Sequence, residues 1–500
     1  VNATIVRHTL AFCGALGAGT FPVYAFAAQG DPVSPQLAPY VSVNAKSVAI
    51  EHVRVIDGTG RPAQADRTVL FTDGLIAAVG PAAKTNVPAG TTVIDGTGKT
   101  LLPGYVGLHN HLFTGAGPRH HPVWRSMPFS FPRLYLAAGT TTIRTTGSMD
   151  IYADLHAKHS VDAGLSPGPD MDVTSPYLTG PGNPEPQMDE LKGAADARET
   201  VAFWADRGVT SFKVYTNITR EALGAVIDEA HRRGLKVMGH LCSVGYHEAA
   251  ALGIDELEHG PYFTDTEFVD SKTPDACPTE DEQEATNAHI APTDPRITAL
   301  ITDLVHRHVP VSSTLPVFEA GYRVPPDAIE QPTLDLMAPD QKATVEAIRT
   351  LLQDPKTFAG ILKTHPNYLS DGLAVFKNEM AFELRFARAG GILTCGPDPS
   401  GYGSVIAGLG DWRELELLVE AGFTPVEAIH VATQNGAIAL GRADSIGTLA
   451  VGKRADAILI DGDPSSDITA IEHVETVFKG GQGYDSKKLF ASVKGLVGAI

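Results

Sequence analysis

From Leu101 to Ala443 the chain alternates short apolar runs with amphipathic stretches, and this alternation limits the fold more than any other feature. A strand, a helix and a second strand in the same direction need a crossover, which lays helices over a parallel sheet. The clearest unit begins at Thr219, a helix-capping residue, with Glu221 in the first turn. Ala222, Ala225, Val226 and Ala230 then form one apolar stripe. Gly234 stops that helix, and Leu235–His240 reads as the next strand. A later helix opens at Thr424-Pro425-Val426-Glu427, a capping box with Pro at the first helical position, and ends at Gly441. The 50 Gly and 35 Pro supply turns for many such junctions. Repeated units of this kind predict a closed (β/α)8 barrel or an open doubly wound sheet. No G-x-G-x-x-G follows a strand, which counts against a dinucleotide-binding version.

Strand-only segments flank this region. Val48–Ile56 reads as a strand, and Thr68–Phe71 and Leu75–Val79 flank the hairpin turn Asp73-Gly74. The hexapeptide Val-Ile-Asp-Gly-Thr-Gly occurs at 55–60 and again at 93–98, as two similar strand–turn units. Short strands return at Ile446–Ile460. The pieces at both ends are expected to pair into one small β-sandwich, 46–102 with 444–485, around a barrel at 103–443. Residues 28–45, rich in Pro, Ser and Gln, read as a linker. The acidic, Pro-containing stretch Asp275 to Glu284 reads as a solvated loop, with a lid as the sharper alternative.

Residues 1–27 carry a targeting pattern. Arg7 and His8 precede an apolar run that closes on Ala25-Phe26-Ala27, an A-x-A cleavage signal. Gly14, Gly17, Gly19 and Pro22 make the run a poor spanning helix, so export with cleavage is expected over an uncleaved anchor. The mature chain is then periplasmic or secreted, with no membrane contact. Lys plus Arg is 39 against 58 Asp plus Glu, a net charge of −19, which disfavours nucleic acid and anionic membranes as partners. The four cysteines form no C-x-x-C pair, so neither a thiolate zinc site nor a disulfide scaffold is expected.

The 18 histidines are more informative. His109 and His111 lie two apart on an apolar strand, so both rings point the same way and can share a divalent ion. His240 and His259 each close a strand, roughly one strand–helix unit apart. In a barrel such ends converge on one face. Lys213, in Phe212-Lys213-Val214-Tyr215, sits among apolar neighbours. Its head either reaches the barrel mouth or is carboxylated by carbon dioxide, which turns a cation into an anionic metal bridge. Asp398 is fixed between Pro397 and Pro399 at a strand end, as a turn residue or as metal ligand and general base.

The order HxH, Lys, His, His, Asp at strand ends resembles the amidohydrolase superfamily. The opening Pro103-Gly104-Tyr105-Val106-Gly107-Leu108-His109-Asn110-His111 is similar to its first-strand motif, and Gly447–Ala457 to its return into the β domain. Within the superfamily the chain is most similar to the imidazolonepropionase-related, prolidase-like branch. The resemblance implies the barrel, and two divalent ions. His109 and His111 would hold one ion, His240 and His259 the other, and carboxylated Lys213 would bridge them. Asp398 would bind the first ion and take the proton of the bridging water. Zinc is the default for such ligands, with manganese, cobalt or iron compatible. Gly107 stands where the family motif often has Asp, which puts the support of the histidines in question.

The expected reaction is hydrolysis of an amide-type C–N bond in a small molecule: a dipeptide, an N-acyl amino acid or a related amide. Tyr215, Arg144, His120 and His121 are the expected substrate contacts, and Trp124–Phe131 an apolar lining. The rival on the same fold is a ring-amidine deaminase, which commonly holds one ion and lacks the bridging lysine. A phosphotriesterase or lactonase shares the ligand set but commonly lacks the flanking β domain. A metal-free binding or assembly protein is the rival from another class. Homo-oligomer formation stays open.

Overall fold

The computed structural model describes residues 33–116, 123–183, 185–322, 331–364, 366–400 and 403–499. The expected signal segment 1–27 and the loop histidines His120 and His121 lie outside the described residues. Among the described residues no helix is long and apolar enough to cross a membrane.

Two parallel sheets form the middle of the chain. A three-stranded sheet runs in the order Asp170–Asp172, Thr140–Arg144, Tyr105–Gly107. A seven-stranded sheet runs Asp189–Glu190, Thr174–Thr179, Ser211–Val214, Lys236–Gly239, Glu256–Glu258, Val311–Ser313, Leu393–Cys395. The sheets meet at both ends. Val173 joins Asp172 directly to Thr174. At the other end the Leu108 N–H donates to the Cys395 carbonyl at 2.8 Å. This is an α/β arrangement of TIM-barrel type. Its strands are short and buried on both faces, which is why they read as near-continuous apolar runs. Helices cover them. The helix expected after Thr219 is Arg220–Arg232, and Thr219 Oγ1 accepts the Ala222 N–H at 3.2 Å. The helix from Pro425 is less regular than expected: it is α to His430, π from Val431 to Asn435, and α again from Gly436 to Ala439.

A nine-stranded, mostly antiparallel sheet is built from both ends of the chain. It combines strands between Val41 and Pro103 with strands between Ala457 and Asp485. Lys99–Pro103 pairs with Ala457–Asp461 along its whole length. The Asp73-Gly74 turn has positive φ at both residues, 49° and 81°, as a two-residue hairpin requires. Val48, Ile50, Val69, Phe71, Leu459 and Phe478 form part of its buried layer. One sequence expectation is corrected here. Val41–Val43, placed in the linker 28–45, is a strand paired with Gln482–Asp485. Three hydrophilic or small positions around it hid the pattern, and its partner is too far along the chain to be inferred.

Asp170, at the start of the strand Asp170–Asp172, ties this sheet to the parallel strands. It accepts from Lys479 Nζ at 2.9 Å, from Arg454, and lies 3.5 Å from Arg442. Burial opposes its charge, yet these cations hold its carboxyl far below the usual carboxylate range.

Candidate active site

Five of the parallel strands deliver the candidate ligands at their C-terminal ends. His109 and His111 follow Tyr105–Gly107, Lys213 lies in Ser211–Val214, and His240 follows Lys236–Gly239. His259 follows Glu256–Glu258, and Asp398 follows Leu393–Cys395. The first and last of these ends touch. The Asp398 N–H donates to the His109 carbonyl at 3.1 Å, and a Cβ on Gly396 would stand 2.4 Å from the His109 nitrogen. Only glycine allows that approach. His259 itself has φ 72°, and the next residue, Gly260, has φ 88°. A Cβ on Gly260 would meet Glu379 Oε1 at 1.9 Å, and the Tyr262 N–H donates to Glu379 Oε2 at 2.8 Å. This buried carboxylate backs the turn that aims His259.

The six side chains converge. One ligand atom each from His109, His259 and Asp398 lies within 4.8 Å of the others. The His109 ring is 5.3 Å from His111 and 4.5 Å from His259, and His259 is 4.4 Å from His240. His109, His111, Lys213 and His259 are buried; His240 is half-buried at the mouth.

Hydrogen bonds on the far side of each ring define which nitrogen faces the centre. His109 Nδ1 lies 2.5 Å from Glu258 Oε2, and His111 Nδ1 lies 3.0 Å from the Thr145 carbonyl. A carboxylate and a carbonyl only accept, so both Nδ1 atoms carry the proton. In the neutral rings both Nε2 atoms are then lone pairs. They face Asp398: His111 Nε2 is 3.1 Å from Oδ1 and His109 Nε2 is 3.7 Å from Oδ2. Lone pairs aimed at a carboxylate leave a cation-shaped deficit between them. This donor chemistry fits a divalent ion, and the ligand atoms of His109, His259 and Asp398 lie close enough together to hold one. Lys213 Nζ is buried without a hydrogen-bond partner, and so is Glu258 Oε1, 3.9 Å away.

The electrostatics follow from burial. It drives the His109 and His259 rings well below the ordinary imidazole range, with Lys213 adding repulsion to both. Burial and Lys213 push His240 down to about 3. Burial lowers Lys213 to about 8 against the pull of Glu258 and Asp398. Burial opposes the Asp398 charge, but the histidines and the Ser400 hydroxyl hold its carboxyl well below the usual range. The rings of His109, His240 and His259 are thus neutral and the carboxylate is an anion at neutral pH.

The substrate contacts expected from the sequence fare differently. Tyr215 lies at the mouth, its ring 4.8 Å from His240. Arg144 does not reach the mouth. It is fully buried, with Nη1 2.7 Å from Glu256 Oε2 and Nη2 donating to the Leu108 carbonyl at 3.0 Å. Its strand, Thr140–Arg144, ends where expected, but the side chain turns inward, so the guanidinium neutralises the carboxylates beneath the histidines. Glu258 is the residue that sequence reading missed. The signal was present: in Glu256-Leu257-Glu258-His259 a period of two puts both carboxylates on the inner face. The space that a side chain at Gly107 would fill is taken by Asn110, whose Oδ1 would be 2.3 Å from such a Cβ. Asn110 Nδ2 donates to Asp411 Oδ1 at 3.3 Å. Contrary to expectation, Cys242 and Cys277 are joined as a disulfide, two residues after His240. They lie 35 positions apart, and no short motif announces the pair.

The sequence profile of the amidohydrolase family matches residues 100–483, a span that contains every ligand described above. The chain belongs to the amidohydrolase family. Imidazolonepropionase from Geobacillus kaustophilus (strain HTA426) is 42% identical over 64 residues, 12% of this chain. The match spans only 15% of that relative's length. Among solved structures, a protein from Bifidobacterium longum described as a prolidase is 25% identical, with a TM-score of 0.61 over 90% of this chain and 99% of that one. A Xaa-Pro dipeptidase with methionine bound in its active site is 18% identical, with a TM-score of 0.65 over 88% and 100%. This second likeness concerns the fold alone. Amidohydrolase folds are of TIM-barrel type, in agreement with the parallel strands above.

Proposed function

We propose that this chain is a metal-dependent hydrolase that cleaves an amide-type C–N bond in a small molecule. The observation that carries the reading is the pair of Nε2 lone pairs of His109 and His111 facing the Asp398 carboxylate. His109, His111 and Asp398 would hold one divalent ion, and His240 and His259 a second, with Lys213 as a carbamate between them. Zinc suits these nitrogen and oxygen donors. The reading of Lys213 is supported by its buried amine, which has no hydrogen-bond partner. Such ions, when bound, make water more acidic and polarise a carbonyl.

The chain's own groups do the rest. Asp398, ionised at neutral pH, takes a proton at a carboxylate oxygen and returns it to the departing nitrogen. Ser400 Oγ, donating to Oδ1 at 2.7 Å, steadies that carboxylate. Glu258 holds His109 in one tautomer and Thr145 holds His111. Tyr215 lies where a hydroxyl could donate to the substrate carbonyl oxygen as it gains charge. The neighbour described as a prolidase supports C–N hydrolysis over the deaminase and phosphotriesterase readings.

In this reading the parallel strands close as a (β/α)8 barrel over 103–443. The sheet from both chain ends is the small β-sandwich, and the enzyme works outside the cytoplasm after export. The Cys242–Cys277 disulfide supports the last point, since disulfides persist in oxidising compartments. The test is elemental mass spectrometry of the purified chain together with hydrolysis of N-acyl amino acids, dipeptides and neutral amides. Close to two ions per chain with C–N cleavage is expected. One ion with ammonia release from ring amidines would establish the deaminase instead. No metal after reconstitution with zinc would sink both.

A further inference from the structure

Two aromatic walls stand against the histidine cluster. The first comes from the segments after the strands that carry His111, Tyr177 and Lys213. Phe113 stacks on His111 at 4.5 Å, Tyr177 lies 5.2 Å from Tyr215, and Tyr215 lies 4.8 Å from His240. Trp124 packs edge-on to Phe113 at 5.3 Å. The second wall comes from the helices Pro261–Thr264 and Leu315–Tyr322. Phe318 lies 5.4 Å from His259 and stacks on Phe263 at 3.6 Å. In strand order the walls rise from separate arcs, one after the strands ending at Gly107, Thr179 and Val214, the other after those ending at Glu258 and Ser313.

Each wall has a buried back and a half-exposed front. Phe113, Tyr177 and Phe263 are buried, while Trp124, Tyr215 and Phe318 are partly open. Large apolar rings left partly open beside a catalytic centre are ligand-facing surface, since a buried core would close over them.

Carboxyl groups stand at both rims. Trp124 Nε1 donates to Glu185 Oε2 at 3.0 Å. Beyond Phe318, the Tyr322 hydroxyl bonds Glu284, on which Asp371, Asp281 and Glu280 also act. Basic groups on the same loops are committed. Arg220 grips both Asp275 oxygens, at 3.1 and 3.0 Å, and Lys272 Nζ donates to the carbonyls of Ser243, Thr273 and Ala276. A carboxylate on the substrate would meet these carboxyl groups, while Arg220 and Lys272 on the neighbouring loops are already paired.

We propose that the site selects an uncharged amide carrying an aromatic or bulky apolar group on each side of the C–N bond. The Trp124–Phe113 wall takes one group and the Phe318–Phe263 wall the other. The inference rests on the amide-hydrolase reading and narrows it away from dipeptides with a free carboxylate.

The deciding pair is N-phenylacetyl-phenethylamine and N-phenylacetyl-phenylalanine, which differ only by one carboxylate. With the zinc-reconstituted full chain, kcat/KM should favour the neutral member by about 10-fold or more, the scale on which a pocket discriminates. Phe318→Ala and Trp124→Ala should each raise KM by about 10-fold with kcat little changed. Phe318→Tyr and Trp124→Phe should restore KM, which a merely structural role would not produce. Preference for the carboxylate member would overturn this inference and leave the amidase reading intact. Unchanged KM in both alanine variants would overturn it equally. Cleavage of neither member nor of any other amide would bring down the amidase reading, and this inference with it.

Discussion

Glu258 makes its strongest contribution through a hydrogen bond it does not share with any substrate. By accepting from His109 Nδ1 it aims the opposite nitrogen at Asp398. Glu258→Gln keeps the volume but can present an amide N–H to that nitrogen, which favours the wrong tautomer. Metal affinity, measured by competition with a chromogenic chelator, should fall by about 10–100-fold while the circular-dichroism spectrum is unchanged. Asp398→Asn removes the proton acceptor with little change of shape. Turnover should drop by about 10²–10⁴-fold, the range of a lost general base, with the folded chain intact. Histidine spacing and the flanks of Asp398 were legible in the sequence because ligands at strand ends follow the chain's own periodicity. Arg144 and Glu258 were misread or missed because their partners come from other strands. A strand ending at Arg144 looks the same in sequence whether its guanidinium reaches the mouth or a neighbouring Glu256.

The acidic segment after His259 shows how far an element-level reading can go. Asp275 to Glu284 was legible as a charged surface stretch. Its second half is in fact the start of the helix Glu280–His289, whose Thr279 and Glu282 form a reciprocal capping box. Its first half is bound to the loops beside the site by Arg220, Lys272 and the disulfide. Such ties are long-range and leave no local pattern, so neither a free loop nor a free lid describes them. Cys277→Ala should lower the stability of the oxidised chain by about 3–4 kcal/mol, the loop-entropy value for a closure of this length. The denaturant midpoint of the variant, compared with the parent under oxidising conditions, measures it. The helix after Thr424 was legible from its cap and its stop, but its π segment, which packs on the strands Tyr105–Gly107 and Leu393–Cys395, has no local pattern to announce it.

At the scale of the molecule, one carboxylate joins the two halves. Asp170 meets Lys479 and Arg454 from the far end of the chain, so it fastens the nine-stranded sheet to the parallel strands. Asp170→Asn should cost about 3 kcal/mol by leaving those cations underpaired. Its folded carboxyl is held below its unfolded value, so the contribution is full above about pH 4. It declines progressively as pH falls below that value toward the much lower titration of the folded carboxyl, so the gap between variant and parent should narrow at pH 3. Thermal melts of both chains at pH 7 and pH 3 give the comparison. The strand-only ends were legible as one unit by composition, whereas Val41–Val43 and the ion cluster became visible only with the chain folded.

That sheet also sets a schedule. Lys99–Pro103 leaves the ribosome long before its partner Ala457–Asp461 exists. Until then its backbone donors and acceptors stand open beside the buried-type residues Leu101 and Leu102. The N-terminal strands can form hairpins with one another at once, but their outer edge must wait for nearly the whole chain to be made. Loop closure across such a distance is slow, and an unpaired edge recruits neighbouring copies during the delay. Yield of native protein on dilution from denaturant should therefore fall as chain concentration rises.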